Sequence, residues 1–356
     1  MTGLESRVGA FDDYTLPPEA LSWSTGVATR PHFHIQSHDT LAAAVRRVIL
    51  EQVRHALQIQ HPGHGTSARQ NRFFDESVHE LRKSIKRVRA VLRLIRAEIG
   101  DDRFRHDDSL LRDTARLWGP VRDAVVLARL AEKVLPDLEL DDEVKDTIVT
   151  TLQARAETRT RTARRDRQRL TDTTFALNSF ASRISSLPTD GPTAIPNAWK
   201  SIEPDIDRLA RRVVARRDEA AAKKSTVRLH GWRRVAKYLG YQAELLAPEG
   251  AGFEMRQIER GSQSRNEKPL LVLRDQLSQL GSLLGDDHDL ALLIETLGRD
   301  PDLLPDSVDA AHLFWELTRL RHDLQVAAFE IGEKLGDATD LMSAFSDAWR
   351  MSRPDE

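Results

Sequence analysis

Beyond residue 38 the apolar residues recur every three or four positions, and almost nowhere do they alternate one by one. That period predicts helices over 39–60, 73–99, 105–135 and 141–170. It predicts a second set over 198–223, 227–246, 267–297 and 307–335, with a short helix over 339–350. Breakers fall at the expected ends: Pro62-Gly63, Gly100, Pro136, Pro248, Gly298 and Gly336. Residues 171–197 hold Pro188, Gly191, Pro192 and Pro196 and read as a bridge between two halves. Residues 1–38 lack a regular period and read as an extension held to the body through Phe11, Tyr14 and Trp23. β-branched alternation is missing. The expectation is an all-α chain of two four-helix bundles, 39–170 and 198–335, with residues 336–356 as a C-terminal helix and tail.

The two sets also repeat in sequence. Val78-His79-Glu80-Leu81-Arg82-Lys83-Ser84-Ile85-Lys86-Arg87 in the second segment matches Leu229-His230-Gly231-Trp232-Arg233-Arg234-Val235-Ala236-Lys237-Tyr238 in the sixth. Leu117-Trp118-Gly119-Pro120-Val121-Arg122-Asp123 matches Leu283-Leu284-Gly285-Asp286-Asp287-His288-Asp289. There a glycine is placed to bend or restart a long helix, with an aspartate placed to cap it. A weaker pair is Arg46-Arg47-Val48 with Arg211-Arg212-Val213. Three matches in one order make duplication the economical explanation.

On a helical wheel with His79 at the origin, Arg82, Lys83, Lys86, Arg89 and Arg93 lie within about 80° of it, while Leu81, Ile85, Val88, Leu92 and Ile95 face away. In the second copy Arg233, Arg234, Lys237 and Tyr241 flank His230. Gly240 and Glu244 stand where the first copy has Arg89 and Arg93, so the His79 copy is expected to dominate. Like charges at this spacing repel by several tenths of a kcal/mol per pair. An anion with regularly spaced charge relieves that cost. Arginine forks onto phosphate oxygens, lysine acts as a point charge, and histidine can donate a hydrogen bond. Such a ligand raises the histidine pKa, which predicts tighter binding at mildly acidic pH. One basic face alone is equally well a solvated surface; the duplication argues for a ligand. The Arg-rich run 155–169, interleaved with Glu157 and Asp166, reads as solvated surface.

The formal net charge of −2 does not argue against this, because Arg82, Lys83, Lys86, Arg87, Arg89, Arg93 and Arg96 fall in a stretch without a single acid. The chain has no cysteine, which excludes disulfides and thiolate metal sites and fits a cytoplasmic protein. No apolar stretch is long enough to span a membrane, and the N-terminus is not expected to be a signal peptide.

At these residues the chain resembles the CHAD family, named for conserved histidines in an α-helical domain. The resemblance spans about 39–335 and implies two four-helix bundles related by internal pseudo-twofold symmetry, with a basic surface between them. It further implies binding of inorganic polyphosphate and association with polyphosphate granules. By position the binding residues would be His79, Arg82, Lys83, Lys86, Arg89, Arg93, His230, Arg233, Arg234 and Lys237, with Arg46, Arg47, Arg211 and Arg212 from neighbouring helices. The family's second basic helix commonly reads Lys-Arg-Leu-Arg-Tyr, whereas here it is Lys237-Tyr238-Leu239-Gly240-Tyr241. The Glu-x-Glu-x-Lys motif of an accompanying triphosphatase-type barrel is missing, which suggests a stand-alone member.

Other chemistry finds little footing. His32, His34 and His38 have no carboxylate or thiolate to complete a metal site, and Asp286-Asp287-His288-Asp289 reads as a helix cap. There is no phosphate-binding glycine loop, dinucleotide fingerprint or nucleophile elbow. The expectation is a non-enzymatic polyphosphate binder without metal or cofactor. The alternatives are a polyphosphate- or triphosphate-hydrolysing enzyme, and a non-specific nucleic-acid binder using the same face.

Overall fold

The computed structural model describes residues 32–36, 38–58, 67–247, 269–300, 303–304 and 309–353, with side chains from residue 74 in the second segment's helix. Among these the regular elements are all helical, and the chain is all-α. The reading of Phe11, Tyr14 and Trp23 lies outside the described residues.

The first half holds α1 (Leu41–Gln58), α2 (Ser67–Leu94), a single turn α3 (Arg96–Ile99), α4 (Asp101–Leu117), α5 (Gly119–Val134), α6 (Asp142–Arg165) and α7 (Arg167–Ser185). The second holds α8 (Glu203–Ala222), α9 (Thr226–Leu246), α10 (Pro269–Arg299), α11 (Ala310–Lys334) and α12 (Ala338–Ser352). Aspartates start several of them. Asp141 accepts from the Glu143 amide, Asp166 from Arg169, and Asp337 forms a capping box with Asp340. Gly336, at φ +71°, makes the left-handed turn between α11 and α12.

Three details differ from the sequence expectation. The helix expected over 105–135 breaks at Trp118, because Pro120 has no amide hydrogen to give and is tolerated only in a first turn. Its repeat, with Asp286 in place of proline, runs unbroken as α10. The Asp286–Asp289 segment is therefore helix interior and not a cap: Asp287 is buried and accepts from Arg321 and Gln325. Most of the stretch expected as a bridge is α7. Its buried Thr173, Leu177, Phe180 and Ile184 keep a helical period that threonine disguises, and the irregular segment shrinks to the residues just before the turn Trp199–Ser201.

Packing repeats along with the sequence. In the first half α1 lies on α2 and α7, α4 on α2 and α7, and α5 on α6. In the second, α8 lies on α9 and α12, and α10 on α9, α12 and α11. The halves meet where α2 packs on α9 and α5 on α10. The hydrophobic core does not divide between them. One cluster joins Leu81, Ile85, Leu92 and Trp118 with Trp232, Leu239, Leu277 and Phe345. A second joins Val125, Leu135 and Ile148 with Leu290, Leu293 and Leu313. Burying single side chains of this size contributes about 1.5–3 kcal/mol each. The four helices that carry the repeated motifs are thus fixed against one another by shared core.

Candidate functional site

The wheel separation holds on both basic helices. Leu81, Ile85, Val88 and Leu92 are buried on α2, with Ile95 buried just past its end, and Trp232, Val235, Ala236, Leu239 and Ala243 on α9. The polar faces of the two helices turn toward each other and toward α5 and α10.

Arg82 and Arg233 behave as counterparts. The Arg82 guanidinium donates to the carbonyl of Ala115 and lies beside Gly119. The Arg233 Nε donates, at a long 3.4 Å, to the carbonyl of Gly281. A Cβ on Gly285 would stand 2.9 Å from the Arg233 guanidinium, and one on Gly281 would stand 2.6 Å from Cε of Lys237. Gly285 thus makes room for an arginine of the neighbouring basic helix, while at Gly119 a Cβ would meet the Arg82 guanidinium only at 3.8 Å, an ordinary contact.

Lys86 lies at the centre. Arg233, Arg82, Lys237 and Arg122 all bear on it, and burial together with this crowd holds its pKa down, at about 7. Protein surrounds the ammonium on most sides, yet the side chain remains open to solvent, as expected in a cleft. Lys237 is lowered by burial, Arg233 and Lys83. Arg82 and Arg122 are lowered mainly by burial. Among the described residues Arg82, Lys83, Lys86, Arg122, Arg233 and Lys237 make no ion pair, although acids outnumber bases in the chain.

The histidines line the same groove as neutral groups. Burial and Arg122 lower His79. His230, 4.6 Å from the ring of His288, is lowered to about 4 by burial, His288 and Arg233. His288 is itself lowered by burial and Arg233. Arg122 and His288 occupy equivalent places in the second repeat, three residues after the glycine. The sequence shows both within that repeat but gives neither a role there; their alignment was the available signal.

The remaining expected residues are placed elsewhere. Arg89 forks onto Asp108 at 2.8 and 3.1 Å, and Arg93 reaches the same carboxylate at 2.8 Å while lying 4.0 Å over the ring of Tyr238. Glu244 is paired with Arg87. Arg46 donates to the Leu187 carbonyl; Arg47 binds Asp39, Glu51 and the carbonyl of His34. Arg211 is held by Asp207. Arg212 and Arg234 are exposed neighbours on a second patch with Arg216, Arg93 and Arg96. The free cations of the two copies are therefore more nearly equal than the sequence suggested, because Arg89 and Arg93 are already engaged. Among the described residues no group of three His, Asp or Glu side chains is placed to hold a metal ion, and no helix is long and apolar enough to cross a membrane.

Solved structures share this fold. The crystal structure of the CHAD domain from the plant Ricinus communis superposes with a TM-score of 0.54 at 15% identity, over 89% of this chain and 95% of that one. PptA from Streptomyces chartreusis gives 0.50 at 15% identity, over 88% and 100%. No curated protein matches the chain. The CHAD domain family model matches residues 47–258, more than half of the sequence, and this stretch carries both basic helices and the Arg82–Gly119 contact. The chain belongs to the CHAD domain family.

Proposed function

We propose that this protein binds inorganic polyphosphate in the groove between α2 and α9, without cleaving it. The observation that carries the reading is the unpaired cluster of Arg82, Lys83, Lys86, Arg122, Arg233 and Lys237, gathered from three helices. Folding brings these cations together at a cost: burial first, and then Arg233, Arg82, Lys237 and Arg122, hold the Lys86 pKa down. A linear polyanion offsets it along the whole groove. The two arginines present guanidinium nitrogens to phosphate oxygens from beside Gly119 and Gly285. His79 and His230 begin as neutral hydrogen-bond partners and gain a proton as phosphate charge approaches.

The test is titration with polyphosphates of defined length, on the wild type and on Arg82→Ala/Lys86→Ala and Arg233→Ala/Lys237→Ala. Binding in the wild type with large losses in both variants is expected; wild-type affinity in both removes the site. Incubation with divalent metals and an assay for free phosphate tests the second half of the proposal, since steady metal-dependent release means hydrolysis. Equal displacement by single-stranded nucleic acid at matched phosphate would favour general polyanion binding instead. A fluorescent fusion collecting on cytoplasmic polyphosphate granules is the corresponding expectation in cells.

A further inference from the structure

A cleft of about 500 Å³ opens beside the groove between α5, α10 and α11. Its volume is within the usual range for small-molecule sites. It shares Arg122 and Asp289 with the groove, so a ligand held there by phosphates can continue into it. The floor is aliphatic, formed by Val126, Leu130, Leu290, Leu320 and Leu324. One wall carries Arg122, Arg129 and Lys133 from α5; the facing wall carries Asp286 and Asp289 from α10 and Asp323 from α11. Among the described residues none of these six makes an ion pair across the cleft or elsewhere. Burial holds the Asp289 carboxyl above its ordinary range.

That lining gives further phosphates no net attraction, since three carboxylates offset its three cations and its floor is aliphatic. It fits a neutral group with an apolar face and hydrogen-bond donors at its edge, joined to an oligophosphate at the Arg122 end. Ribose hydroxyls and exocyclic amines supply such donors, and a base supplies the flat apolar face. We propose that this cleft is a nucleoside subsite, so that the protein binds nucleoside oligophosphates with the phosphates in the groove and the nucleoside between α5 and α11. The inference rests on the groove's reading as an oligophosphate site.

The matched probes are ATP and tripolyphosphate, titrated calorimetrically into the full chain with divalent ions chelated. Both have three phosphates, and ATP carries less negative charge, so electrostatics alone makes ATP the weaker ligand. The inference expects ATP to bind at least about tenfold tighter, on the order of the burial of a few apolar groups. Ala327→Trp fills the cleft and Asp323→Ala removes an exposed acceptor from its wall. Each should weaken ATP several-fold and leave tripolyphosphate unchanged. If tripolyphosphate binds and ATP is no tighter, the nucleoside subsite is refuted while the groove stands. The subsite is equally refuted if ATP is tighter but neither variant affects it. If neither probe nor longer polyphosphate binds, the groove reading falls and takes this one with it.

Discussion

If polyphosphate binds in the groove as proposed, Lys86 makes that binding depend on pH above neutrality. In the free protein its pKa is about 7, against an ordinary 10.5, because burial and Arg233, Arg82, Lys237 and Arg122 disfavour the charge. Bound phosphates reverse that balance, so binding takes up a proton. The pKa is lowered in the free state and restored in the complex, so affinity is highest below pH 7. It falls as pH rises from 7 toward 10.5. If the complex recovers the ordinary value, free-state deprotonation weakens binding by about 2-fold at pH 7 and about 100-fold at pH 9, a change of about fiftyfold between them. Solvent reaching Lys86 screens part of the repulsion, so a loss of about tenfold is the working expectation. The assay is calorimetry from pH 7 to 9 in buffers of different ionisation enthalpy, which counts protons directly. Terminal phosphates lose protons in the same range and push the other way; Lys86→Arg, which keeps the charge but does not titrate, subtracts their effect. A pH profile for Lys86→Arg identical to wild type, with no proton uptake in wild type, would refute the reasoning.

Other perturbations separate function from stability. Lys86→Met should raise the melting temperature of the free protein at pH 7 by relieving repulsion while it weakens polyphosphate binding; a lowered melting temperature contradicts the strained-cluster account. The paired variants Arg82→Ala/Lys86→Ala and Arg233→Ala/Lys237→Ala should lose affinity to a similar extent, within about threefold of each other, as far as their like charge contributions allow. A far larger loss in the first would restore the asymmetry suggested by Gly240 and Glu244. Gly285→Ala should displace the Arg233 guanidinium and cut affinity several-fold without lowering helical content by circular dichroism. Asp108→Asn should destabilise the fold by about 1–3 kcal/mol in denaturant titration, since it unpairs Arg89 and Arg93, yet leave binding undiminished.

The sequence made the two basic helices and their buried faces legible, because a helix of period 3.6 sorts its own residues without knowledge of its neighbours. It misled wherever the deciding partner lies on another helix. The wheel placed Arg89 and Arg93 on the ligand face, but Asp108 of α4 holds both. It made Gly240 and Glu244 look like lost binding capacity, whereas Glu244 pairs with Arg87. Gly119 and Gly285 were visible as a repeat, but the guanidinium groups that lie beside them, of Arg82 and Arg233, arrive from α2 and α9. Arg122 joins the cluster because α5 packs on α2 as well as on α10 at the seam between the halves. In α7 the sequence did contain the answer, as Thr173, Leu177, Phe180 and Ile184, but the prolines further along make the whole stretch resemble a linker.

The central claim is that six unpaired cations act together on one polyanion. Its most direct test is the salt dependence of polyphosphate affinity, measured by titration between 50 and about 300 mM monovalent salt, a range in which counterion release governs polyanion binding. Six phosphate contacts predict a slope of log K against log salt of about −4, using the single-strand coefficient. A slope near zero, or one unchanged when Arg82, Lys86, Arg233 and Lys237 are replaced by alanine, would contradict the account.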